Sequence, residues 1–340
     1  MTLRDLQYRA RRITLVTVLV ALVLTLLFLM TGLVNELQSE PGRTVAGIGA
    51  DTWVVAEGVS GPFTSVSVLP TDLAANLGDS ARPIVVSRGS LSADGLPATE
   101  VVLVGHLPDE LGSPTISAGS AVSGPGEVVL DEIFNRAPGD IVAIGPREFT
   151  VVGVASDSTV LAGQGLAFVD LSDAQQITFQ STDVVSGFVM SAAPSDAPDG
   201  VVALSADAVA DDVLGPIESA VSSIDLIRVL LWFVAAIVMG AVIYLTALER
   251  ERDFAVLKAV GATGASLSGA LALQAVIVAL VASVAAAAVA QLIEPVFPLP
   301  VSIPSSALIT VPLVAVVVGL VSAMVGVRRV NRTDPAEAFG

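Results

Sequence analysis

Four long apolar stretches, one near the start of the chain and three near its end, restrict what this polypeptide can become. Residues 13–34, 226–248, 268–293 and 307–327 each approach or exceed the ~20 apolar residues with which a helix crosses a bilayer. A composition with 53% hydrophobic and 14% charged residues and a mean hydropathy of +0.80 lies outside the range of soluble globular domains. The pattern predicts a membrane protein with four transmembrane α-helices, the first separated from the second by a long acidic segment. The first stretch exceeds a signal-peptide core, and Thr31-Gly32-Leu33-Val34-Asn35-Glu36 offers no small-residue cleavage site, so it reads as a retained anchor.

The net charge of -17 acquires meaning only from where its charges fall. Basic residues gather at Arg4, Arg9, Arg11 and Arg12, at Arg250, Arg252 and Lys258, and at Arg328, Arg329 and Arg332, which the positive-inside rule assigns to the cytoplasm. Segments 1–12, 249–267 and 328–340 are therefore expected inside a cell membrane, with both termini cytoplasmic, and segments 35–225 and 294–306 outside. Segment 35–225 holds Arg43, Arg82, Arg88, Arg136 and Arg147 against more than two dozen acids, a balance that speaks to solubility rather than to a cation site. Cysteine is absent, which excludes disulfides and thiolate-ligated metals.

Within the outer segment, β-branched runs bounded by turn residues predict strands at Thr52–Ala56, Pro83–Ser87, Thr99–Val104, Glu127–Leu130, Ile141–Ile144 and Phe149–Val154,. Capping Asp or Ser residues and helical spacing predict short helices at Asp72–Leu77, Asp131–Arg136, Leu171–Gln176 and Ala206–Leu214,. The expected class is α+β for this extracytoplasmic domain. Apolar residues at helical spacing from Val209 to Ile224, interrupted by Gly215-Pro216, predict a stalk leading into the second span. The proline-rich run Glu294–Pro300 cannot continue a helix and is expected to cap the third and fourth spans.

The inner loop carries a sharper signal. In Asp253-Phe254-Ala255-Val256-Leu257-Lys258-Ala259-Val260-Gly261-Ala262-Thr263, Phe254, Leu257 and Val260 form one apolar ridge flanked by charge. By spacing alone such a ridge lies on lipid or docks on a partner.

This run resembles the MacB/FtsX-like permeases of ABC transporters, whose loop E-x-x-[IV]-L-[KR]-A-[LVI]-G-A-[ST] plugs into a cytoplasmic ATPase; Asp253 stands where the family has Glu. The tail Arg332-Thr333-Asp334-Pro335-Ala336-Glu337-Ala338 is similar to the family's ending, and Glu127–Asp131, Pro138-Gly139-Asp140 and Phe149–Val154 are similar to its outer core. The resemblance implies Phe254, Leu257, Lys258, Val260 and Gly261 as ATPase-coupling residues, two copies of an ATPase subunit that binds ATP, and either two copies of this chain, the simpler case, or one copy with a homologue, with spans one and two forming most of the dimer contact. The chain has no Walker loop, since Gly261 and Gly264 are followed by Ala265-Ser266,; no residue is assigned catalysis, and membrane lipid rather than nucleic acid is the expected surrounding.

Thr31–Leu37, Leu271-Ala272-Leu273-Gln274 and Ala338-Phe339-Gly340 resemble the haem-exporting branch of that family, which implies haem as the exported amphipathic substrate. Few residues can ligate its iron. Met30, at the outer end of span one, reads either as such a ligand or as an adaptable core filler. Glu218, on the stalk, reads either as an anionic ligand near lipid depth or as an interfacial charge facing water. His106, alone in a loop after a strand, reads as solvated. The competing function is mechanotransmission or signalling toward a cell-wall enzyme, lipoprotein or peptide without substrate flux.

Overall fold

The computed structural model describes residues 3–93, 96–108, 110–194, 197–249, 256, 260, 263–297 and 299–332, apart from the side chains of 3–13, of 323–332 and of scattered positions, most of them at 242–270. The chain divides into two compact units, Met1–Asn35 with Val221–Gly340, and Glu36–Ala220.

Helix α1 spans Leu3–Gly47, well beyond the apolar stretch that announces it. Its first part belongs to one unit and its last turns, from Glu36, to the other. Those last turns remain helical because Glu36, Glu40 and Thr44, which read as signs of departure into solvent, are buried and bonded.

The second unit is α+β. Its strands are β1 (Thr52–Ala56), β2 (Leu69–Pro70), β3 (Arg82–Ala93), β4 (Leu96–His106), β5 (Ile116–Gly119), β6 (Glu127–Asp131), β7 (Ile141–Ile144), β8 (Arg147–Ala155), β9 (Thr159–Val160), β10 (Gln164–Asp170), β11 (Val184–Val185), β12 (Gly187–Met190) and β13 (Val201–Ser205). An 11-stranded mixed sheet runs in the order β13-β1-β12-β3-β4-β10-β6-β8-β5, with β7 joined to β3 and β8, and β9 to β10. Strand β10 lies parallel to β4 and antiparallel to β6.

Alternation along each strand loads both faces. Val54, Val85, Leu103, Leu130, Val169 and Phe188 share one core with helix α3 (Leu171–Phe179). Their neighbours Trp53, Ile84, Val104, Val129, Phe168 and Val189 share another with helix α4 (Ala206–Leu214) and Val45 of α1. A short helix α2 (Ala74–Leu77) follows β2. Capping fixes the helix starts: Asp170 accepts from the Ser172 N–H, and Ser205 from the Ala208 N–H, each satisfying a donor the helix itself cannot. The helix expected over Asp131–Arg136 is instead one 3-10 turn, Glu132–Phe134, which Asn135 ends in the left-handed region at φ 50°. Gly105 allows α3 to lie directly on β4, since a Cβ there would come within 2.2 Å of the Ala174 Cβ.

The first unit is helical. A 3-10 turn at Gly215–Ile217 separates α4 from α5 (Glu218–Glu249), where Gly215-Pro216 predicts a break. Helices α6 (Gly264–Ile293) and α7 (Ala307–Arg332) complete it. Among the described residues three helices are long and apolar enough to cross a membrane, and α7 contributes the shorter apolar stretch Ala307–Ser322. Val20, Leu24, Leu27 and Phe28 of α1 pack with Ala279, Ala282, Ala286 and Ala290 of α6 and with Val311 and Ala315 of α7. Alanines at that spacing let helix backbones approach closely where lipid supplies no hydrophobic drive. Thr25 bonds the Ala286 carbonyl at 3.4 Å, and Ser322 bonds the Ala236 carbonyl of α5 at 2.9 Å.

Candidate functional site

Polar side chains on the last turns of α1 hold the loop between β8 and β10. The Glu40 carboxylate, 1% exposed, accepts from the Ala162 N–H at 2.9 Å and the Gly163 N–H at 2.7 Å. Both donors sit where the loop turns left-handed, at Leu161 (φ 54°), Ala162 (φ 70°) and Gly163 (φ 96°), so consecutive N–H groups point to one side. Arg43 pairs with Glu36 and lies 3.6 Å from Asp157. The Thr44 hydroxyl donates to the Thr159 carbonyl. Sequence reasoning missed this clamp; the one visible signal is a pair of acids four residues apart on a continuing helical period.

The residues expected to ligate iron fall in different units. Met30, half-buried, lies in Met1–Asn35, whereas Glu218, exposed, lies in Glu36–Ala220 at the start of α5, so neither unit by itself contains both. Asp225 and Arg228 pair at 2.6 Å. The neighbouring Gly32 has a packing role: a Cβ there would come within 2.6 Å of Val301 Cγ1, and the Ser302 N–H donates to the Gly32 carbonyl at 3.3 Å. Asn35 Nδ2 donates to the Ser302 carbonyl at 3.2 Å. The 294–306 loop therefore packs against α1 as well as joining α6 to α7.

Of the coupling residues, Phe254, Leu257, Lys258 and Gly261 lie outside the described residues. Val260 is described and 83% exposed, and its N–H donates to the Val256 carbonyl at 3.1 Å. Such an exposed apolar side chain is available to a partner or to lipid.

His106 is not solvated. It ends β4 and is 1% exposed, with Nδ1 2.9 Å from the Leu107 carbonyl and 3.3 Å from Ser113 Oγ. Burial pulls its pKa below the ordinary value, against the Leu107 hydrogen bond and the Asp170 charge, which raise it. A histidine lowered in this way stabilises the fold fully above pH ~6.5 and loses that contribution as pH falls further. Burial pushes Asp131 the other way, up, although its carboxylate accepts from the Ile133 and Ser158 N–H groups. Among the described residues no three His, Asp or Glu side chains gather as a metal site.

A cleft of 380 Å³ opens in the second unit, within the ~300–1,000 Å³ typical of ligand sites. Its apolar wall is Phe63, Val66, Val86, Val102 and Phe179, and Arg88 stands among them. The cleft occupies a gap in the sheet. Strand β12 pairs with β3 as far as Gly187↔Ile84, and β7 pairs with it from Leu91↔Ile144, so no described strand covers that edge between them. Ser186 half-fills the gap: its Oγ accepts from the Val86 N–H at 3.0 Å and donates to the Val86 carbonyl at 3.1 Å.

The opposite wall is the 62–67 loop, held to α4. Thr64 Oγ1 donates to Asp212, and a Cβ at Gly61 would collide with that same carboxylate at 2.4 Å. No local motif marks this cleft, because its walls come from segments far apart in the chain.

Comparison with known proteins covers nearly the whole chain. Residues 14–207 match the MacB-like periplasmic core domain, and residues 226–335 match the FtsX-like permease C-terminal region. An uncharacterized ABC transporter permease of Mycobacterium tuberculosis is 39% identical over 343 residues, covering 99% of this chain and 98% of its own length. A second from that organism, also named as an uncharacterized ABC transporter permease, is 35% identical over 342 residues, with the same two coverages. Among solved structures, the periplasmic region of MacB from Actinobacillus actinomycetemcomitans aligns at TM-score 0.35 and 18% identity, over 50% of this chain and 96% of that one.

Proposed function

Because this chain belongs to the MacB/FtsX-like family of ABC transporter permeases, we propose that it moves an amphipathic substrate, haem the specific candidate, out of the membrane as a separate subunit hydrolyses ATP. The observation that carries the reading is the order of matched regions, an outer core domain at 14–207 and a permease region at 226–335, on either side of the stalk. Phe254, Leu257, Lys258, Val260 and Gly261 would seat the ATPase subunits, two per assembly. Segment α7 would be the fourth span, which places the termini and the coupling loop in the cytoplasm and 35–225 outside the cell membrane.

Two copies of the chain are part of this reading. Leu15, Val18, Leu22 and Leu26 of α1 and Leu226, Leu230, Phe233 and Ile237 of α5 are exposed in the single chain, leaving apolar faces for a second copy or for lipid. The cavity bounded by Val16, Met239 and Gln274 holds 10 Å³, about one water. That cavity is too small for a porphyrin, and the slot is proposed to form between copies, with Met30 and Glu218 as the proposed ligands.

The chain purified with its ATPase and given haem should show a shifted Soret band and a faster ATPase. Met30→Leu keeps the packing volume but removes the thioether, and Glu218→Gln removes the anionic oxygen; each should weaken haem binding while leaving the ATPase attached. Unchanged spectra and affinity in both variants would return these residues to packing and surface roles. No Soret shift and no stimulation in the parent protein would move the assignment to mechanotransmission. That second reading is supported by the buried alanine seam of α6 and by the exposed Val66, Val68, Ile133 and Ile141 of the outer domain.

Orientation has its own test. A cysteine at Ser92, exposed on β3, should react with an impermeant thiol reagent in intact cells, and one at Ser266 should not, with no native Cys to compete. The reverse pattern would invert the topology drawn from the arginines.

A further inference from the structure

We propose that the cleft on the open edge of β3 binds an amphipathic anion, a carboxylate or phosphate head joined to an apolar body, with Arg88 holding the head. The proposal concerns the outer domain alone and stands whatever substrate the membrane helices move.

Charge is the first argument. The chain has 33 acids, yet no Asp or Glu lines the cleft. Four of the five arginines in 35–225 form ion pairs: Arg43 with Glu36, Arg82 with Glu110 at 2.6 Å, Arg136 with Asp140 at 3.9 Å and Arg147 with Asp173 at 2.5 Å. Arg88 forms none among the described residues, and its one side-chain hydrogen bond among them runs 3.4 Å from Nη2 to the Phe63 carbonyl. Arg88 is exposed and lines the cleft, and its other guanidinium donors have no protein acceptor among the described residues. A planar fork of this kind matches a carboxylate or phosphate bidentately.

Lining chemistry is the second. Phe63, Val86, Val102 and Phe179 supply an apolar floor and side, while Val66, 85% exposed, and Val68, 49% exposed, extend apolar surface at and beside the 62–67 wall. One cation among apolar groups selects a ligand that is anionic at one end and apolar for the rest.

Backbone availability is the third, and it separates a small amphiphile from an added peptide strand. Strand addition needs a run of free backbone groups. Here Ser186 occupies both groups of Val86, and the Gly145 N–H occupies the Ser90 carbonyl at 3.1 Å. With β12 and β7 bounding the gap, Arg88 alone on that edge retains both groups, too few for a strand.

The test uses the full chain in phosphatidylcholine nanodiscs with two photoreactive probes, a diazirine-bearing palmitate and the matching fatty alcohol, and maps the labelled peptides by mass spectrometry. The palmitate should label segments 62–67 and 178–186, and the alcohol should not. Arg88→Gln should reduce that labelling at least tenfold, Arg88→Lys, which keeps the charge and loses the fork, should restore only part of it, and Ser65→Trp, at an exposed rim position, should block it by filling the mouth. Competition by oleate or by lysophosphatidate supports the proposal and identifies the head as carboxylate or phosphate. Labelling that is indifferent to Arg88→Gln, or equal with the alcohol, overturns it. Displacement by peptides with free C-terminal carboxylates and by neither lipid also overturns it, and assigns the cleft to a chain terminus. A chain that stimulates its ATPase with haem yet fails here loses this proposal alone.

Discussion

Leu257→Asp should leave the chain in the membrane and separate it from its ATPase. Leu257 is the middle of the apolar ridge Phe254, Leu257 and Val260, and a carboxylate there would have to be buried in the contact without a partner. The effective penalty for burying an ion in a protein is several kcal/mol, and each ~1.4 kcal/mol is tenfold in affinity. Co-purification of the two subunits should fall by about two orders of magnitude or more, and substrate-stimulated ATP turnover with it. Lys258→Ala should be milder, because a charge at the rim of a contact acts more on encounter than on holding. If Leu257→Asp co-purifies and turns over ATP like the parent, the ridge lies on lipid and the coupling role is withdrawn.

Glu40→Ala should loosen the outer domain where α1 enters it. The substitution removes the acceptor of two N–H groups, at Ala162 and Gly163, and leaves a void beneath a left-handed turn. An orphaned donor costs about 1–3 kcal/mol, so the pair places the loss at roughly 2–6 kcal/mol, or a fall in unfolding temperature of about 4–24 °C for a domain of this size. Glu40→Gln keeps one acceptor and should lose about half as much. Hydrogen exchange supplies the local signature: the Ala162 and Gly163 amides should lose protection before the β10 amides do. Unchanged exchange at those two amides in Glu40→Ala would show that the clamp is an incidental contact.

The strands and helices that reached the surface of the sequence are those with one signal and no competitor. β1, β7 and α4 run over Thr52–Ala56, Ile141–Ile144 and Ala206–Leu214, where alternation or a capping Ser marks both ends. β10 was hidden although it is central: Leu166, Ala167, Phe168 and Val169 are all buried, so no polar residue breaks the run into an alternating pattern. The outer turns of α1 were hidden for the opposite reason. Glu36, Glu40, Pro41 and Gly42 resemble a loop until Arg43 and the Ala162 and Gly163 amides show where the acids go.

The candidate sites divide along the same line. A coupling segment is contiguous, so its spacing is legible in eleven residues from Asp253 to Thr263. The cleft at Arg88 is assembled from the 62–67 loop, β3, the end of α3 and Ser186, and nothing in any one of these segments marks it. Met30 illustrates the remaining hazard. Its neighbour Gly32, part of the stretch from which haem export is inferred in the sequence, is required here by the approach of Val301, so that glycine has a packing reason independent of any ligand.

The alanine face of α6 has a mechanical consequence. Ala279, Ala282, Ala286 and Ala290 are fully buried at that seam, as is Ser283, and none of them carries a side chain that interlocks with the neighbouring helix as a leucine knob would. The larger side chains of the seam, Val20, Leu24, Leu27 and Phe28, all come from α1, so α6 offers a shallow surface and the fit depends on the α1 side chains alone. The one polar group of α1 at this seam, the Thr25 hydroxyl, donates to the Ala21 carbonyl of its own helix at 2.8 Å and reaches the Ala286 carbonyl at 3.4 Å, so its contact across the seam is the weaker of the two and is the one that a small shift of α1 would give up first.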